Sequence, residues 1–173
     1  MTRARSLHSR PDSVVIAYAP SLARLTARTP HGDVAWRFPI PEDGALVGGF
    51  AVAPNSTTYL RTTSALLAVS AAGDLSWQVP LPRPPVAESL LKPTPLTNSG
   101  VVVIVAPNRL RAFSPNGKTL WEAETPPHTM LAAAPEVGPN GTVTLATDAA
   151  VMSLSHNGVF IWTRPLVGKR AAP

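Results

Sequence analysis

Four tryptophans, Trp36, Trp77, Trp121 and Trp162, stand 41, 44 and 41 residues apart, and each follows a glycine by four residues: Gly32, Gly73, Gly117 and Gly158. They are all the tryptophans of the 173-residue chain. A period of about forty residues means one supersecondary unit repeated, because a unit that cannot bury its apolar face alone stacks on copies of itself. The agreement extends beyond the anchors. Eleven residues before each tryptophan stands an aliphatic residue, Leu25, Leu66, Leu110 or Val151, and nine before it a small one, Ala27, Ala68, Ala112 or Ser153. Two residues apart in a strand is the same face, so each unit presents an aliphatic and then a small side chain to one neighbour. The small residue leaves room for an indole of the same or an adjacent unit.

The unit reads as four short strands. Prolines number 20, and an interior proline costs a helix about 3 kcal/mol, so they punctuate strands instead of interrupting helices. In the third unit the alternating runs are Thr94–Thr97, Val101–Ala106, Arg109–Ser114 and Lys118–Glu124, separated by turn signals. Pro-Asn and Asn-Gly pairs, as in SPNGK, GPNGT and SHNGV, supply the positive φ that tight hairpins demand. The expected class is all-β, a β-propeller of four-stranded antiparallel blades. Units are placed at about 13–41, 45–82, 93–126 and 131–166, after a basic segment 1–12 that includes a possible first strand near Ser6–Arg10, and before a tail 167–173. The segment Pro80–Pro95 is expected to be a surface loop joining units two and three, with at most a short turn at ESLLK.

Composition narrows the chemistry. With 45% apolar and 14% charged residues the chain is expected to be globular. The absence of cysteine removes disulfides, thiolate metal sites and thiol catalysis. The net charge is +5, but the basic residues are scattered, approaching clusters only at Arg3/Arg5 and Lys169/Arg170. Without a basic stripe carrying interleaved aromatics, nucleic acid is not the expected partner. No apolar run reaches membrane-spanning length, and the start, MTRARSLHSRPDSVVIAYAP, does not have the form of a secretory signal.

The pattern Leu66-Leu67-Ala68…Gly73…Trp77, repeated as Leu110-Arg111-Ala112…Gly117…Trp121, resembles the repeat of the pyrroloquinoline-quinone-like, or quinoprotein-type, β-propellers. The resemblance covers about Ser13 to Leu166. It implies that Trp36, Trp77, Trp121 and Trp162 dock between neighbouring blades near the small residue and the turn glycine. Such propellers usually have seven or eight blades and are often exported; this chain supplies four units. That leaves a compact four-bladed ring, half of a ring completed by a second copy, or part of a larger propeller.

The resemblance also implies a quinone with calcium, which the residues do not supply. Calcium takes six to eight oxygen ligands, and the ten acidic residues form no ligand-spaced group. Asp33 and Asp74 follow turn glycines as solvated turn residues. His31 and His156 occupy equivalent loops without a third ligand, and no nucleophile elbow, phosphate loop or paired carboxylates are present. No cofactor, metal or catalytic residue is expected. The expected function is a non-catalytic scaffold or binding module for protein or peptide partners, including self-association that completes a ring. A quinoprotein-like dehydrogenase fragment, or a truncated propeller without an autonomous role, is the alternative. Compartment is not fixed by the sequence.

Overall fold

The computed structural model describes residues 7–10, 13–41, 45–98 and 100–166. The tail 167–173 and most of the segment 1–12, with the basic pairs expected there, lie outside the described residues. Among the described residues, sixteen strands form four antiparallel sheets of four. The first holds β1 (Leu7–Ser9), β2 (Val15–Ala19), β3 (Arg24–Arg28) and β4 (Val34–Pro39). The second holds β5 (Leu46–Val52), β6 (Thr58–Thr62), β7 (Ala65–Val69) and β8 (Leu75–Pro80). The third holds β9 (Thr94–Pro95), β10 (Val101–Ala106), β11 (Arg109–Phe113) and β12 (Thr119–Glu124), and the fourth β13 (Glu136–Val137), β14 (Val143–Ala146), β15 (Ala150–Leu154) and β16 (Phe160–Pro165). In unit three the strands fall within two residues of the runs read from the sequence.

Each sheet is a meander in chain order, and the first strands are mutual neighbours, β1 with β5, β5 with β9 and β9 with β13. The first strands therefore converge on an axis and the fourth strands, which bear the tryptophans, lie outermost. Apolar side chains fill three seams. Ile16, Leu25 and Phe38 meet Phe50, Leu60 and Leu67 between units one and two. Tyr59, Leu66 and Ala68 meet Val101, Val103 and Phe113 between units two and three. Val102, Ile104 and Leu110 meet Val143, Leu145 and Met152 between units three and four. The four sheets do not close on themselves, so the molecule is an open arc and the compact four-bladed ring is set aside.

The turn before each tryptophan strand is built the same way. Gly73, Gly117 and Gly158 donate N–H to the carbonyls of Ser70, Ser114 and Ser155, and Gly32 to that of Thr29, at 2.9–3.1 Å. All four glycines have φ between 78 and 96°, which a Cβ resists. In units two to four the serine hydroxyl also accepts backbone N–H groups across the turn, from Asp74, Lys118 and Val159 at 3.1–3.2 Å. A bulge follows in every unit. Ala35, Ser76, Leu120 and Ile161 are the extra residues, each immediately before its tryptophan. A bulge adds local twist and re-aims the next side chain.

The segment Pro80–Pro95 is the expected loop between units two and three, with its short turn at Glu88–Leu91 and many residues exposed, but it is anchored to the units beneath it. Leu81 and Leu91 are buried, and a 3-10 turn at Glu88–Leu91 lies over β5 so closely that a Cβ on Gly48 would fall 2.4 Å from the Leu91 carbonyl carbon. Its start is held by Arg61 of β6, a fully buried guanidinium that donates to the carbonyls of Leu81 and, at 2.7 Å, Pro82. Burial lowers its pKa to about 10. Prolines stop the segment from pairing as a strand, but its leucines still leave water.

Candidate functional site

Three indoles share one geometry. Trp36 Nε1–H donates to the Ala71 carbonyl at 3.0 Å, Trp77 to Pro115 at 2.7 Å and Trp121 to His156 at 2.9 Å. Each acceptor lies two residues before the turn glycine of the next unit. The rings lie on those glycines: a Cβ on Gly73, Gly117 or Gly158 would fall 2.6–2.9 Å from the nearest atom of Trp36, Trp77 or Trp121. Each indole therefore covers the turn of the following unit, where glycine is required twice over, for its φ and for the space its missing side chain leaves. Behind each ring, the small residue of the same unit stands directly opposite in register, Ala27 with Trp36, Ala68 with Trp77, Ala112 with Trp121 and Ser153 with Trp162. Leu25, Leu66 and Leu110 are completely buried beside them.

The two ends of the arc break this pattern. Among the described residues nothing lies within 4 Å of the position a Cβ on Gly32 would take. Among the described residues Trp162 faces no following turn and its indole N–H has no partner, and the residue is 39% exposed. Val151 is only partly buried, although Ser153 is covered. Around Trp162, Val159, Phe160 and Ile161 are exposed as well. The four units are equal in spacing, so the sequence marks the tryptophans but not which of them lacks a seat.

The axis offers a different kind of surface, a groove of about 510 Å³ walled by first strands and their flanks, with His8, Lys92, Thr94 and Glu136 among its lining. His8 rests against Phe50, ring centroids 4.9 Å apart. Its pKa is lowered, first by burial and then by the charge of Lys92. Of the groups that calcium and a quinone would require, the groove presents one carboxylate, Glu136, and among the described residues no three His, Asp or Glu side chains stand together as metal ligands. These residues do not fit that pair. His156 lies in an outer turn and is exposed; its contribution to the seam is its backbone carbonyl.

No protein-family model matches the sequence, and no curated protein matches it. Solved structures do resemble it in fold. BamB from Moraxella catarrhalis superposes with a TM-score of 0.72 at 23% identity, covering 92% of this chain and 48% of that one. A virginiamycin B lyase from Staphylococcus aureus gives 0.68 at 12% identity, covering 95% and 55%. The Pan2 WD40 domain of Neurospora crassa gives 0.64 at 11% identity, covering 94% and 50%. The chain thus spans about half the length of these structures. At such identities the likeness concerns fold alone, and one shared fold carries a lyase as well as proteins of other names. The chain has the β-propeller fold, present as an open arc of four four-stranded blades.

Proposed function

We propose that the chain is a non-catalytic scaffold of pyrroloquinoline-quinone-like repeats that binds a protein partner through the ends of its arc. The observation that carries this reading is Trp162, an exposed indole whose three counterparts each cover a glycine turn and donate an N–H to a carbonyl. A partner that presents a glycine turn of the same form would satisfy that N–H and bury the ring. Tryptophan is among the residues most enriched at interface hot spots. Its register neighbours on this face, Thr144, Ala146, Val151, Ser153 and Arg164, are small or polar, which suits a reversible contact better than an obligate one.

The test is retention of a partner from extracts of the source organism by the immobilised chain, compared between the wild type and Trp162→Ala. A protein held by the first and lost from the second, with both chains folded, supports the reading. If the same proteins are held by both, Trp162 is not a binding residue. Turnover of a small molecule by the purified chain would overturn the non-catalytic reading.

A further inference from the structure

Basic residues scattered along the sequence are gathered by the pleat. Arg24, Thr26 and Arg28 alternate along β3 and share a face, and Arg37 of β4 stands directly opposite Thr26 on that same face. It is the face of unit one turned away from unit two, since Ile16, Leu25, Ala27 and Phe38 fill the other side. Arg28 donates to the Gly32 carbonyl at 2.7 Å. None of the three arginines makes an ion pair with a described residue. Arg24 Nε is shielded from solvent with no acceptor among the described residues.

Unit three shows what completes such a face. There Arg109 occupies the place of Arg24, and Arg111 that of Thr26, with Glu124 and Glu122 opposite them. Arg109 binds Glu124 and stands 3.3 Å from Glu122, while Arg111 Nε donates to Glu122 at 2.7 Å. In unit one the two acidic places hold Pro39 and Arg37. The site that is neutralised in unit three is purely cationic in unit one. A second copy would not supply the missing charge, because β15 and β16 carry Arg164 and no carboxylate.

We propose that this face of unit one binds an extended acidic segment of a partner protein, whose carboxylates take the places that Glu122 and Glu124 fill in unit three. Arg24 and Arg28 are four residues apart on one strand, roughly 13 Å, and alternate side chains of an extended segment repeat every ~6.6 Å, so acidic residues at every second position match the row. The guanidinium fork suits carboxylates. Val15, Ala17 and Thr26 between the arginines give nucleic-acid bases nothing to stack on.

This inference rests on the chain being a protein-binding module but not on Trp162. The probe is a fluorescein-labelled peptide of alternating glutamate and threonine, followed by anisotropy. The chain is expected to bind it, less tightly as salt rises. Arg24→Gln/Arg28→Gln/Arg37→Gln should weaken binding about tenfold or more, each exposed pair contributing a modest share. Arg109→Gln/Arg111→Gln, which removes arginines already paired, should leave it unchanged. Arg37→Glu serves if the triple variant does not fold: it puts a carboxylate at the place of Glu122, beside Arg24 and Arg28, and should weaken binding at least as much in a folded chain. No binding by the wild type, equal loss in both arginine variants, or tighter binding of a single-stranded oligonucleotide than of the peptide overturns the proposal. Peptide binding that survives Trp162→Ala leaves it standing even where the partner seated on Trp162 is lost.

Discussion

The seam between units three and four and the free face of unit four are the same surface in two settings. In the seam, Val102, Ile104, Leu110, Ala112 and Ala123 are all at most 6% exposed, and Trp121 covers Gly158. By register the free face answers these with Thr144, Ala146, Val151, Ser153 and Arg164, and with Trp162 for Trp121. The aromatic anchor is kept while the bed around it turns small and polar. Unit one does likewise at the opposite end, where Arg24, Thr26 and Arg28 replace the Ala65, Leu67 and Val69 of unit two. The polarity of the ends is thus a property of position in the arc, superimposed on a motif that does not vary.

The largest break in the comparison should come from the anchors themselves. Trp121→Ala removes a ring seated on Gly158 together with its bond to the His156 carbonyl, and is expected to cost about 3 kcal/mol. Trp162→Ala removes an exposed ring with no seat and should cost less than about 1 kcal/mol. Urea unfolding of both variants measures the difference, and equal losses would mean that the two surfaces are energetically alike. The glycines give the same contrast at smaller size. Gly32→Ala should cost only the strain of positive φ, about 1 kcal/mol, whereas Gly158→Ala must also displace Trp121 and should cost roughly 2–3 kcal/mol.

A third difference depends on pH. Tyr59 is fully buried in the seam between units two and three, its ring centroid 5.7 Å from that of Trp77, and burial raises its pKa to about 12. Its counterpart on the free face, Thr144, does not titrate. Because the folded pKa lies above the unfolded value of about 10, the stabilisation is complete below pH 10 and is lost as pH rises towards 12. Denaturation at pH 9 and at pH 11.5 should show a fall in the wild type, on the order of 2 kcal/mol, that is reduced in Tyr59→Phe. An identical fall in the variant would place the alkaline transition elsewhere.

The tryptophan–glycine period made the architecture legible because each element of it answers a backbone need: a positive φ at the glycine, a hairpin, and room opposite the indole. The strands of unit three were legible for the same local reason. What the sequence concealed is non-local. Docking of the indoles between neighbouring blades was implied by the resemblance, but that Trp36 covers Gly73, so that each indole belongs to the turn of the unit after its own, follows from how sheets stack. The bulges at Ala35, Ser76, Leu120 and Ile161 leave no mark, because any residue tolerates the extra place. The loop at Pro80–Pro95 was legible from its prolines, but the hold of Arg61 on its carbonyls was not, because it joins residues about twenty positions apart. The arginine face was invisible for a simpler reason: Arg24, Arg28 and Arg37 look isolated until two strands bring them to one side.

The smallest effect on stability, and the finest test of the comparison, is to give the free face the bed of the seam. Thr144→Val and Arg164→Ala copy Val102 and Ala123 onto the exposed side of unit four, leaving the fold and Trp162 untouched. Surface changes of this kind usually alter stability by no more than about 0.5 kcal/mol. Their effect should appear in association instead. With Arg164 gone, the charge that opposes Arg24, Arg28 and Arg37 of another copy is removed, and the apolar area beside Trp162 grows. The double variant is therefore expected to self-associate at concentrations where the wild type does not, as measured by sedimentation, and Trp162→Ala in the same background should reverse it. If the double variant sediments like the wild type, polar residues at the ends do not govern association, and the difference between seam and free face is one of sequence drift alone.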